Sequence, residues 1–115
     1  MEVQVFGIKK SAETRAALRF FAERRIKVHF VDLNERPASK GELTRFVQRF
    51  GAPALVDPAA RRFGELGLGT ARYSDERWLE RLVEEPLLLR MPLVRWQQQL
   101  TVGAAADVWR SWTGK

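Results

Sequence analysis

Cysteine is absent from the 115-residue sequence. Its absence excludes disulfides, thiolate metal sites and any thiol redox chemistry carried by this chain alone. Histidine occurs once, as His29 in "IKVHFVDL". The alternation around it places His29 on a sheet face, and no second histidine exists to build a metal site with it. No metal and no cofactor are therefore expected. Long apolar runs are also missing, since none approaches the roughly 18 residues that read as a membrane span. The longest candidate, "PLLLRMPLV", is broken by Arg90 and Pro92 and reads as core. The opening "MEVQVFG" lacks the charged-then-apolar layout of a signal peptide, so a cytoplasmic location is expected.

What is present is the composition of a folded domain. Hydrophobic residues make up 45% and charged residues 30% of the chain, which fits a soluble globular protein. A chain of this length fits one domain, residues 1–115, with a core that needs neither metal nor disulfide support. The net charge is +6, which suits anions or acidic partners. The arginines are scattered and mostly interleaved with Glu, so they do not point to nucleic acid, and nothing points to a membrane.

Residues 2 to 6 alternate, with Val3 and Val5 on one face, and read as a strand. From Ser11 to Arg25 the apolar positions Ala17, Leu18, Phe21 and Ala22 recur at helical spacing, while Glu13, Arg15, Arg19 and Glu23 face outward. "KVHFVDL" is a second strand, which makes a right-handed βαβ unit with a parallel pair. Ser39 and Glu42 form a capping box ahead of a helix with Leu43, Phe46, Val47 and Phe50 on one face, stopped by Gly51. A short helix is expected from Asp57-Pro58 to Gly67. Ser74 caps another, which buries Trp78, Leu79, Leu82 and Val83 and ends at Pro86. "PLVRW" and "QLTVG" then read as an antiparallel hairpin, and "AADVWRSW" as a closing helix with Val108, Trp109 and Trp112 inward. The order βαβ, several helices, ββα is a thioredoxin-like α/β arrangement with a helical insertion.

The stretch "VFGIKKSAETRAALRF" passes from strand to helix at the position where thioredoxin-like proteins keep a reactive cysteine. Here Ser11 stands at the start of the helix. Serine is a favoured N-cap, worth about 1 kcal/mol against alanine, and capping alone accounts for it; a ligand-binding hydroxyl is the sharper reading. Lys9 and Lys10 beside the helix N-terminus suit an anion, because unpaired N–H groups and the helix dipole favour negative charge there. Two lysines in an exposed loop are also ordinary surface residues. Among the tryptophans, Trp78, Trp109 and Trp112 fit a core, whereas Trp96 in "VRWQQQL" sits at the hairpin end and is a candidate partner contact.

Several phrases in order carry a family resemblance: "FGIKKSAETRAALRFF", "VHFVDLNERPASKGEL", "RFGELGL", "LVEEPLLLRMPLV" and "QLTVG". Together they resemble the arsenate reductase-like (ArsC/Spx) proteins over essentially the whole chain. The resemblance implies a nucleophilic cysteine at the start of the first helix, four residues before an arginine. Ser11 occupies the nucleophile position, Thr14 and Arg15 match the residues that follow, and Arg90 matches an arginine present in some members. With Lys9 and Lys10, these residues are the candidate anion site. The family's other clamping arginines fall at Asp57 and Met91, and Arg61 and Arg62 lie one turn beyond Asp57. The resemblance also implies that the Met91–Pro92 bond is cis.

Serine does not replace cysteine in arsenate reduction, which needs a sulfur that forms and loses a bond to arsenic and then a mixed disulfide. Ser11 is thus a degenerate nucleophile position and no catalytic residue is assigned. Two functions fit these residues. One is a redox-inactive module that binds an anion or a protein partner, linked to transcription by analogy with the Spx branch, with Arg61, Arg62 and Trp96 as contacts. The other is an arsenate reductase, or a related glutathione- or glutaredoxin-dependent oxidoreductase, whose thiols come from a partner.

Overall fold

The alternation of Val3 and Val5 builds an inner strand of a mixed sheet. In the computed structural model, which describes residues 1–114, β1 (Glu2–Gly7) pairs in parallel with β2 (Lys27–Asp32) and antiparallel with β3 (Leu93–Trp96). β3 turns back into β4 (Gln99–Val102), giving the order β2-β1-β3-β4. The helices are α1 (Ala12–Glu23), α2 (Lys40–Phe50), α3 (Arg61–Glu65), α4 (Asp75–Glu84) and α5 (Ala106–Trp112). The chain divides into two units, one of Met1–Asp32 with the segment from Met91 onward, the other of Leu33–Arg90. No helix among the described residues is long and apolar enough to cross a membrane.

The first unit holds the sheet with α1 and α5. Its core is Val3, Val5, Ala17, Phe21, Val94 and Trp109, none more than 3% exposed. Phe20, Phe21 and Trp109 form a ring cluster with centroids 5.1 to 5.5 Å apart, an arrangement that adds to plain burial. The indole N–H of Trp109 donates to Thr101 Oγ1 at 2.8 Å, so the one polar atom of that ring is satisfied in the interior. Leu18 is only half-buried and Ala22 is exposed, because the stripe on α1 that meets the sheet is narrower than the apolar periodicity suggests. Trp112 is half-buried and Val108 is 44% exposed, so of the apolar trio in α5 only Trp109 is fully inside.

The second unit is helical. Ser39 and Glu42 form the expected capping box, with Ser39 N donating to Glu42 Oε1 at 2.9 Å and Glu42 N to Ser39 Oγ at 3.1 Å. Partial burial pushes the Glu42 carboxyl up, but the hydrogen bonds from Arg36 and Ser39 outweigh it and leave the group below its ordinary value. Leu43, Phe46, Leu79 and Leu82 are buried, while Phe50 in the last turn of α2 is 38% exposed and Val47 and Val83 are half-buried. The expected helix at Asp57-Pro58 starts later, at Arg61. Asp57 instead closes a tight turn on itself, its Oδ1 accepting from Ala59 N at 2.9 Å and its carbonyl from Ala60 N at 3.0 Å. An Asx-type turn competes with helix initiation at such a position.

The end of α1 carries a strained residue. Arg25 N donates to Ala22 O and Ile26 N to Phe21 O, both at 3.0 Å, the paired bonds of a Schellman motif. The residue in the left-handed position is Arg25, with φ of 58°, where glycine is usual. A side chain there costs roughly 1–2 kcal/mol, part of which glycine returns to the unfolded chain as entropy. Arg25→Gly is therefore expected to raise stability by about 1 kcal/mol, read as a higher urea midpoint at unchanged slope.

Candidate functional site

The turn from β1 into α1 is held by backbone and side chain together. Ser11 N donates to Ile8 O at 3.1 Å, and Arg15 N to Ser11 O at 3.0 Å. Ser11 is the N-cap of α1, and its Oγ accepts from Thr14 N at 3.1 Å. One orphan donor of the first turn is thereby satisfied, and Ser11 keeps its O–H free to donate outward. Arg15 bends back over the loop, its Nη1 donating to Lys9 O at 2.7 Å. Lys9 and Lys10 are exposed and take part in no salt bridge among the described residues. Glu13 is the only acid in the first turn of α1, so the turn presents mainly positive charge.

Thr14 does not join this surface. It is fully buried, and its Oγ1 has no hydrogen-bond partner among the described residues. The side chain is turned towards Gly7, where a Cβ would lie 2.3 Å from Thr14 Oγ1 and 2.6 Å from Thr14 Cγ2. The Thr14 hydroxyl is thus a packing group against the end of β1, and its backbone N–H serves the cap. The sequence marks Gly7 as the end of a strand; the close approach from seven residues on depends on how α1 leans on the sheet, which spacing does not reveal.

The Met91–Pro92 peptide bond is cis. Pro92 is buried, and its carbonyl accepts from Gly103 N at 2.8 Å. Leu93, the next residue, pairs with Phe6, so the cis bond stands beside the C-terminal end of β1, where the turn begins. The structure therefore places Lys9, Lys10 and Ser11 in the β1–α1 turn with Arg15 folded back on it, and Pro92 directly before the residue that pairs with Phe6.

Arg61, Arg62 and Arg90 belong to the unit Leu33–Arg90. Arg62 is engaged: its Nε and Nη2 donate to Glu85 at 2.8 and 3.2 Å, and its Nη1 to Glu65 at 3.3 Å. The Arg62 hydrogen bond holds the Glu85 carboxyl below its ordinary value. Arg61 is exposed and pairs with Glu65 at 3.3 Å. Arg90 is exposed, and its Nη2 donates weakly to Val56 O at 3.4 Å. Trp96, expected at an exposed hairpin end, is half-buried against Trp112 with ring centroids 5.9 Å apart. Among the described residues no group of three or more His, Asp or Glu is placed to hold a metal ion.

A sequence profile of the ArsC family matches residues 6–112. An arsenate reductase of Rhizobium meliloti is 27% identical over 96 residues, covering 82% of this chain and 69% of its own. One from Neisseria meningitidis serogroup A is 26% identical over 105 residues, covering 89% of this chain and 90% of its own. Among solved structures, the arsenate reductase from Vibrio cholerae superimposes with a TM-score of 0.81 at 24% identity, over 94% of each chain. That likeness is one of fold, and it agrees with the thioredoxin-like order of strands and helices described above.

The contact between Gly7 and Thr14 has a measurable consequence. Gly7→Ala is expected to destabilise the protein by about 1–3 kcal/mol through overpacking. Removing the two nearest atoms with Thr14→Ala, which leaves the Thr14 Cβ in place, is expected to recover part of that loss, so that the two substitutions are non-additive in a urea-unfolding cycle. Additive effects would show that the close approach is not tight.

Proposed function

Because the chain belongs to the ArsC family, we propose that it is a redox-silent member that binds a small oxyanion, or an acidic group of a protein partner, at the β1–α1 turn. One observation carries this reading: the residue at the family's nucleophile position is Ser11, and its Oγ is occupied as a helix cap. An alcohol of high pKa is a poor nucleophile unless a base activates it, and Ser11 Oγ is engaged with the backbone N–H of Thr14. Even as an ester to arsenic it would have no route to a disulfide, and so no electrons to give. What the turn retains is its attraction for negative charge. The N-terminus of a twelve-residue helix and the ammonium groups of Lys9 and Lys10 favour an anion from outside.

The second reading, arsenate reduction with every thiol supplied by a partner, is favoured by one observation, the arsenate reductases that match at 26–27% identity. A single set of measurements separates the two. Thermal unfolding at low salt is titrated with arsenate, phosphate and sulfate, with chloride as the control. A bound oxyanion at 100 times its dissociation constant adds about 2.7 kcal/mol. The expected result is stabilisation by at least one oxyanion that is lost in Lys10→Ala. With glutathione and glutaredoxin present, arsenite formation is expected to stay at the level of buffer. Turnover above buffer overturns the redox-silent reading, and no shift with any oxyanion overturns the small-anion site.

A further inference from the structure

The unit of residues 33–90 carries an open groove of about 340 Å³ that is unconnected with Ser11 in its chemistry. Its wall is mainly apolar and aromatic, with Val56, Phe63, Leu68, Tyr73 and Trp78, and Arg72 stands in the lining. The volume lies at the lower end of the range for small-molecule sites, which are mostly apolar with a few placed polar groups. Tyr73 is fixed from several sides. Its ring meets Trp78 edge-on with centroids 4.8 Å apart, the Arg77 guanidinium lies 5.0 Å from its centroid, and its hydroxyl accepts from Arg81 Nη2 at 3.2 Å. The aromatic wall is therefore held in place before any ligand arrives, which lowers the ordering cost of binding.

Arg72 has a different position. It is exposed and makes no hydrogen bond or ion pair among the described residues. The arginines around Tyr73 are committed to that ring, whereas the guanidinium of Arg72 is left beside an apolar cleft. A guanidinium recognises a carboxylate through two parallel N–H donors. A larger hollow of about 500 Å³ is lined by Lys40, Arg77, Glu80, Arg81 and Glu84. Its charges of both signs select no ligand.

From this combination we propose that the groove binds a small aromatic carboxylate, with the ring against Phe63, Tyr73 and Trp78 and the carboxylate on Arg72. The wall also offers a way to close the site. Gly69 lines the groove, and a Cβ built there has nothing within 4 Å. A leucine at this position starts from a Cβ that meets no neighbour, and its side chain is introduced at the wall of the cleft.

The test is a two-dimensional NMR titration of the full chain with 3-phenylpropionate, 3-phenylpropionamide, 2-phenylethylammonium and acetate as probes. The Trp78 indole resonance is assigned through Trp78→Phe. The expected result is saturable movement of the Trp78 and Tyr73 resonances with 3-phenylpropionate. The amide binds about fivefold more weakly, as the loss of one exposed ion pair allows, and the ammonium and acetate bind more weakly still. Arg72→Gln lowers the acid to the affinity of the amide and leaves the amide unchanged, while Gly69→Leu weakens both. Equal affinity for acid and amide overturns the carboxylate assignment. Absence of saturable shifts, or shifts that persist in Gly69→Leu, overturns the site itself.

Discussion

The lack of a side chain at Gly7 sets the rest of the turn. β1 lies inside the sheet, and at its last residue the chain must leave the sheet and start a helix within a few residues. Thr14 packs into the space that a Cβ at position 7 would fill. With Thr14 seated there, the first turn of α1 lies against the end of β1. Ser11, three residues earlier, falls at the cap, and its Oγ accepts from Thr14 N. Lys9 and Lys10 are left in the exposed loop, and Arg15 reaches back to the Lys9 carbonyl. The Thr14 hydroxyl has no partner among the described residues, a cost of about 1–3 kcal/mol that the packing must outweigh.

The same geometry explains why loss of sulfur changes the chemistry without dismantling the site. A helix N-terminus stabilises negative charge placed on it. A cysteine at this position would supply that charge from within the chain, as a thiolate of lowered pKa. Serine stays neutral and supplies no such charge. The cis Met91–Pro92 bond stands beside this turn.

Local signals made much of this legible in the sequence. The Ser39–Glu42 capping box, the Ser74 cap and the stop at Gly67 depend on residues three or four apart, and each forms where the sequence places it. Helical periodicity located α2, α4 and α5, but not the width of the stripe each one buries. Phe50 and Val108 keep the spacing of core residues and remain exposed. The features that escaped are non-local. Arg62 is tied to Glu85, 23 residues away, and Thr14 is turned inward by a strand that the one-dimensional pattern cannot bring to it. Arg25 and Gln97 adopt positive φ with side chains that give no warning of it. The groove of Phe63, Tyr73 and Trp78 gathers aromatics from three separate stretches, with no common spacing to announce it.

The central claim is that the β1–α1 turn still favours negative charge although position 11 carries no sulfur. The most direct measurement is the thiol pKa of Ser11→Cys, followed by the ultraviolet absorbance of the thiolate against pH. In that variant the thiol is the only one in the chain, so the signal has one source. A pKa well below the ordinary value of about 8.5 is the predicted result. A value at or above it would contradict the account, showing that the helix N-terminus and its lysines no longer favour negative charge at position 11.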